Sequence, residues 1–184
     1  MRFNKHSDLE GLHAFLSPSQ YHWINYTDEK LEMRYKTAKA AALGTKLHEY
    51  ASMAIELGIK QVKNGKTLNM FINDVIGYRM ATEQPLYYSE HAFGTADAIV
   101  FRNDILRIFD LKTGVTKTSP NQLYVYAALF CLEYGYLPGE LQYDLRIYQN
   151  DEVQMYEPNP LEVVRIMDRI EQFSAKIDEI EYGR

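Results

Sequence analysis

The chain has 184 residues, 46% hydrophobic and 24% charged, which is the composition of a soluble globular protein long enough to bury one core. Its net charge of −5 does not advertise a nucleic-acid binder, and its single cysteine, Cys131, excludes an internal disulfide and any metal centre built on several cysteines. No apolar run is long enough to cross a membrane, and the opening MRFNKHSDLEGLHAF lacks the apolar stretch of a signal peptide, so a reducing cytoplasm is the expected compartment.

In chain order, residues 1–26 read as irregular, with a short helix over Ser7 to Phe15. LSPSQYHWIN then offers Ser17 and Ser19 as helix caps around Pro18. Asp28 to Leu57 is rich in Ala, Leu, Lys, Glu and Met and predicts a long helix, stopped at Gly58. KNGK, Lys63 to Lys66, is a turn, and Leu68 to Tyr78 predicts a shorter helix.

Strands follow. Pro85 to Ser89 predicts the first, with Glu83 just before it matched to no motif. Asp97 to Arg102 and Ile105 to Asp110 predict a hairpin around Asn103-Asp104, two residues that tolerate the positive φ of a tight turn. TSPNQLYVYAALFCLEYG predicts a helix capped by Ser119, with Pro120 at its first position and Gly135 closing it. Leu141 to Tyr148 alternates as a strand with Leu141, Tyr143, Leu145 and Ile147 on one face. Asn159-Pro160 opens a last helix whose apolar stripe is Leu161, Val164, Met167, Ile170, Phe173, Ile177 and Ile180. The order helix, helix, three strands, helix, strand, helix predicts one α/β domain over residues 1–184, a mixed β-sheet flanked by helices.

Charge is uneven along this frame. Residues 133–184 hold 12 acidic and 5 basic residues, a net of −7, while residues 1–132 hold 13 and 15, a net of +2. A polyanion is therefore expected to meet the first two thirds of the chain, although an acidic C-terminal helix also reads as a solvated face.

The chemistry concentrates at the hairpin. Asp110 and Lys112 lie two apart on a strand and share a face, while Leu111 points into the opposite layer. The turn after Arg102 brings the start of one strand beside the end of the next, so Asp97 and Asp110 become neighbours. Two carboxylates forced together repel unless one is protonated or a cation sits between them. Mg²⁺ or Mn²⁺ would resolve the repulsion, with the Leu111 carbonyl as a further oxygen ligand and Lys112 beside it to orient a water or offset phosphate charge. The alternative is a surface hairpin with a weak Asp110–Lys112 ion pair. Gly44 and His48 fall on one face of the long helix; imidazole suits Mn²⁺, and the alternative is a histidine that is only a polar surface or interface group. Gln122 and Tyr126 share a face of the later helix, placed either to contact a phosphate or base or to form a polar pair.

Gly44-Thr45-x-x-His48, Gly94-x-x-Asp97, Asp110-x-Lys112-Thr113-Gly114 and Gln122-x-x-x-Tyr126 occur in this order, preceded by Ser17-x-Ser19. The set resembles the RecB-like branch of the PD-(D/E)xK nuclease superfamily, phage exonucleases included, over roughly Ser17 to Tyr126. The resemblance implies a restriction-endonuclease-like core. It implies that His48, Asp97, Asp110 and the Leu111 carbonyl hold Mg²⁺ or Mn²⁺, that Asp97, Asp110 and Lys112 are catalytic, and that Gln122 and Tyr126 contact DNA. Asp110 stands where many relatives carry Glu. Iron–sulfur members carry four cysteines, so this chain resembles the cluster-free ones, and no iron–sulfur cluster is expected. Lys36, Lys39, Lys46, Arg102 and Lys117 are candidate backbone contacts.

The expected function is a metal-dependent deoxyribonuclease, an exonuclease of phage or mobile-element recombination, replication or repair, acting in the cytoplasm (the host's, if the chain is phage-encoded) on linear ends or single strands. The sequence holds no helicase motor, so unwinding would fall to a recombination or helicase partner protein. A homo-oligomer is compatible with this reading, and no membrane is implied. The alternatives are a non-catalytic DNA-binding or assembly module on the same fold and a structure-specific endonuclease.

Overall fold

The computed structural model describes residues 5, 7–9 and 11–183. The chain divides into two compact units, Met1–Thr45 and Lys46–Arg184. The first begins with 3-10 turns at Ser7–Leu9 and Pro18–Asn25 and continues into the first half of helix α1, Asp28–Glu56. Glu10, inside the helix expected over Ser7 to Phe15, lies outside the described residues, and among the described residues of that stretch helical structure is confined to the Ser7–Leu9 turn. Ser17 occupies the N-cap position ahead of Pro18 as expected, but without a side-chain capping bond: its hydroxyl and that of Ser19 bond each other at 2.7 Å, and the Ser17 carbonyl accepts from the Trp23 indole N–H at 3.0 Å.

In the second unit α1 ends where Gly58 takes positive φ. The Gly58 amide bonds Ile55 O and the Ile59 amide bonds Ala54 O, a paired closure that satisfies the last carbonyls of the helix. Helix α2 (Thr67–Tyr78) follows. Strands β1 (Ala81–Ser89), β2 (Ala92–Arg102) and β3 (Ile105–Leu111) then run antiparallel in succession. Asn103 and Asp104 both sit at positive φ, 53° and 59°, so the β2–β3 turn is the one their residue types prescribe.

Helix α3 (Asn121–Tyr134) is the crossover that lets β4 (Gln142–Gln149) lie parallel to β3. Pro120 rather than Ser119 occupies the cap, without a side-chain bond, and Gly135 closes the helix in the left-handed region at φ 72°. A second turn of the same kind, Asn150-Asp151, turns the chain into β5 (Glu152–Tyr156), an antiparallel edge strand that the sequence pattern does not single out. The result is an α/β fold with a five-stranded mixed sheet in the order β1-β2-β3-β4-β5, flanked by helices.

Each sheet face carries a core because alternate side chains point to opposite layers. Leu106, Ile108, Leu145 and Ile147 pack with Leu123, Ala127 and Phe130 of α3 and Val163 of helix α4 (Pro160–Tyr182). Phe109, Leu111 and Tyr148 pack with Phe71, Ile72 and Val75 of α2 and with Ala51 and Ala54 of α1. Asn159 caps α4 by accepting from the Leu161 amide at 3.0 Å. The buried face of α4 is offset from the expected stripe. Val163 and Ser174 are buried and Ile166, Met167 and Ile170 pack on the core, whereas Leu161, Val164, Phe173 and Ile180 are exposed. Among the described residues no helix is long and apolar enough to cross a membrane.

Candidate metal centre

Asp110 is the last polar residue on the α3-facing side of β3 and is only 2% exposed. A carboxylate at that depth needs compensation. Lys112, two residues on and on the same face, supplies it: Nζ donates to Oδ1 at 3.1 Å and stands 3.0 Å from Oδ2. Oδ2 nevertheless receives no aligned hydrogen bond, which leaves a buried acceptor with spare capacity.

A chain of bonds fixes the lysine. Lys112 Nζ also donates to Gln122 Oε1 at 2.7 Å. Gln122 Nε2 donates to the Tyr126 hydroxyl at 3.1 Å, and that hydroxyl donates to the Thr95 carbonyl at 2.6 Å. The expected Gln122–Tyr126 pairing on one helical face is thus present, and it links α3 to β2. Gly94 sits under the ring, since a Cβ there would come within 3.1 Å of Tyr126 Cε1. A side chain at this position would meet the tyrosine more tightly than most Cβ contacts and would push the ring by a few tenths of an ångström.

Asp97 lies just beyond the last regular β2–β3 pair, Ala98 with Phe109, which brings it beside Asp110. Its Oδ2 accepts from the Leu111 amide at 2.8 Å, so the contact at Leu111 is made by its N–H group. His48 Nδ1 is 3.6 Å from the same oxygen. Burial, followed by repulsion from Asp110, raises the Asp97 carboxyl to about pKa 6; the Leu111 amide and His48 pull it the other way. The expected repulsion between the two aspartates is therefore present.

Glu83, which matches no motif, belongs here. His48, Glu83 and Asp97 each offer a donor atom, and these atoms all lie within 4.8 Å of one another. Glu83 is inside β1 and takes φ 48°, a left-handed conformation rare for a non-glycine residue within a strand. It is skipped in the β1–β2 pairing, between Thr82 with Ala98 and Gln84 with Ala96. Such strain persists where the surroundings over-determine it, and it places this carboxylate beside Asp97.

The donor chemistry fits a divalent cation. The mutually close donors are one imidazole and two carboxylates, His48, Glu83 and Asp97; Asp110 lies outside that group and stands beside it with an under-used buried oxygen, and its charge repels Asp97. Of the proposed basic contacts, Lys46, Arg102 and Lys117 belong to the second unit, and Arg102 is exposed. Lys36, in the first unit, pairs with Glu32 one helical turn away, and Lys39 is exposed.

No curated protein and no solved structure matches the chain. A family model matches residues 78–180, more than half of the chain, and takes in Asp97, Asp110, Lys112, Gln122 and Tyr126. The chain belongs to that family, described as Protein of unknown function (DUF2800).

Proposed function

We propose that this protein is a metal-dependent deoxyribonuclease of the RecB-like PD-(D/E)xK type that hydrolyses DNA phosphodiester bonds, most simply from an end or on a single strand. The observation that carries the reading is the buried Asp110–Lys112 pair, held by Gln122 and set against Asp97 and His48. A structural ion pair has no use for a second, half-buried carboxylate beside it, nor for a relay that fixes the ammonium.

His48, Asp97 and Asp110, with Glu83 beside them, would hold Mg²⁺ or Mn²⁺, which supplies a bound water of lowered pKa and a counter-charge for the phosphate. The chain's own residues have separable tasks. Lys112 holds a fixed positive charge at the mouth of the site, where it orients the attacking water and offsets charge that grows on the phosphate in the transition state. Gln122 keeps the ammonium aimed, because its carbonyl accepts at 2.7 Å and its amide is itself anchored on Tyr126. Asp110 anchors the same ammonium from below, and Asp97 must be ionised to act as a ligand.

The test uses closed circular and end-labelled linear DNA, each single- and double-stranded, in Mn²⁺ and in Mg²⁺, with an Asp110→Ala, Lys112→Ala variant alongside. Degradation of linear substrates only, lost in the variant, is the expected result. Cutting of circles would replace the exonuclease by an endonuclease. Retention of DNA without cleavage under every condition would replace the enzyme by a binding module.

A further inference from the structure

A second group of donors gathers at the far end of the β1–β2 hairpin. His91, in the turn between the strands, is largely buried, and its Nε2 faces three carboxylates. Asp178 Oδ1 stands at 3.2 Å, Glu181 Oε2 at 3.7 Å and Glu90 Oε1 at 3.8 Å. Glu90 and His91 belong to the hairpin, while Asp178 and Glu181 lie three apart on α4 and so share a face. The donor atoms of Glu90, His91 and Asp178 all lie within 4.8 Å of one another.

Two independent features make this more than an acidic patch. The first is charge. One imidazole carries at most one positive charge against three carboxylates. Among the described residues no lysine or arginine comes within ion-pair distance of Glu90, Asp178 or Glu181. The second is spacing. Donors at about 2.0–2.1 Å from a tetrahedrally bound ion stand roughly 3.4 Å apart. The three distances from Nε2, 3.2 to 3.8 Å, bracket that edge, and Glu90, His91 and Asp178 are the mutually close set, with Glu181 outside it but 3.7 Å from Nε2. The three carboxylates lie at the surface, 48–65% exposed, and Asp178 also borders a groove lined by Ala175, Glu179 and Tyr182, so an ion reaches the cluster directly from solvent.

We propose that Glu90, His91 and Asp178, with Glu181 beside them, form a second metal site, structural in role, for Zn²⁺ or another first-row divalent ion. An imidazole suits Zn²⁺ and other first-row ions better than Ca²⁺, which prefers oxygen alone. The ion clamps the C-terminal part of α4 to the hairpin. Polar contacts already join the same two elements there: the Ser89 and Ser174 hydroxyls are 3.0 Å apart, and the Tyr182 hydroxyl donates to Glu90 at 3.3 Å. The site shares no residue with the Asp97–Asp110 centre, and the proposal stands whether or not that centre cleaves DNA.

The experiment is calorimetric titration of the metal-free full chain carrying Asp97→Asn and Asp110→Asn, with Zn²⁺ and then Co²⁺, whose visible absorption reports tetrahedral binding. One ion per chain is expected, with a tetrahedral Co²⁺ spectrum. Adding His91→Gln is expected to weaken Zn²⁺ binding by about 100-fold or more and to abolish that spectrum, and Asp178→Asn to weaken it about 10-fold or more. Far-UV circular dichroism identifies a misfolded variant, and the other substitution then decides. Absence of Zn²⁺ uptake by the Asp97→Asn, Asp110→Asn protein, or uptake unchanged by both further substitutions, overturns the proposal.

Discussion

Replacing Lys112 with Met tests whether the pair at the end of β3 is poised for a cation. Met keeps most of the stem's volume and removes the ammonium. Asp110 has a side chain just 3% exposed, so its carboxylate would be left buried and unpaired, whereas Lys112, at 26%, still touches water. Breaking a fully buried pair from one side costs about 3–5 kcal/mol. Partial access of water at Lys112 moves the expectation to the lower end, about 3 kcal/mol. The reverse change, Asp110→Asn, leaves an ammonium that keeps both water and Gln122, and is expected to cost only about 1 kcal/mol. The decisive comparison is the same measurement with metal present. Lys112 contacts one Asp110 oxygen and approaches the other, so it competes with a cation for that carboxylate. An ion at about 100 times its Kd stabilises the folded state by about 2.7 kcal/mol. Urea unfolding of Lys112→Met at pH 7 should show the loss of about 3 kcal/mol in EDTA and a smaller loss in excess Mn²⁺, narrowed by about 1.4 kcal/mol for each tenfold by which the substitution tightens Mn²⁺ binding. An equal loss in EDTA and in Mn²⁺ would refute the reasoning.

Three further outcomes follow from the same geometry. Gly94→Ala pushes a methyl to 3.1 Å from the Tyr126 ring and strains the hydroxyl's bond to Thr95, so it should cost about 1 kcal/mol of stability and lower cleavage by more than that loss explains; Tyr126→Phe, which frees Gln122, should lower cleavage in the same way, measured as kcat/KM on one labelled oligonucleotide. Asp97, raised to about pKa 6 from an ordinary value of 3.8, binds its proton more tightly folded than unfolded. Its contribution to stability is therefore fully present below about pH 4 and is lost as pH rises to about 6, a fall on the order of 3 kcal/mol in EDTA that Asp97→Asn should remove from the stability–pH curve. Phe109 is fully buried between Tyr78, Tyr148 and the Arg146 guanidinium, so Phe109→Ala should cost about 3–5 kcal/mol by urea unfolding without changing metal affinity.

The parts of the fold legible in the sequence are those governed by local chemistry. Asn103-Asp104 names its own turn, Gly58 and Gly135 end their helices in the left-handed region, and Asn159 caps α4. Two-residue periodicity is also local, which is why spacing alone puts Asp110 and Lys112 on one face and Leu111 in the opposite layer. The misses are non-local. Glu83 reaches the site only through a left-handed backbone inside a strand, and no residue pattern announces that. The buried face of α4 departs from its apolar stripe because Ser174 is buried against Ser89, a polar contact that an apolar count cannot find. Strand β5 is a short edge strand with little alternation to read, although its Asn150-Asp151 turn repeats the signal at Asn103-Asp104. His91 carries no signal at all, since its carboxylate partner Asp178 on α4 lies 87 residues away in the chain.

The most direct test of the central claim is cleavage of an end-labelled single-stranded oligonucleotide in Mn²⁺ by the native chain and by Asp97→Asn, Asp110→Asn and Lys112→Ala, each first shown to be folded. The account predicts metal-dependent hydrolysis by the native chain that EDTA stops, and a loss of roughly 100-fold or more in each variant. Cleavage that survives in the folded variants, or a native chain that binds the oligonucleotide in Mn²⁺ and leaves it intact, would contradict it.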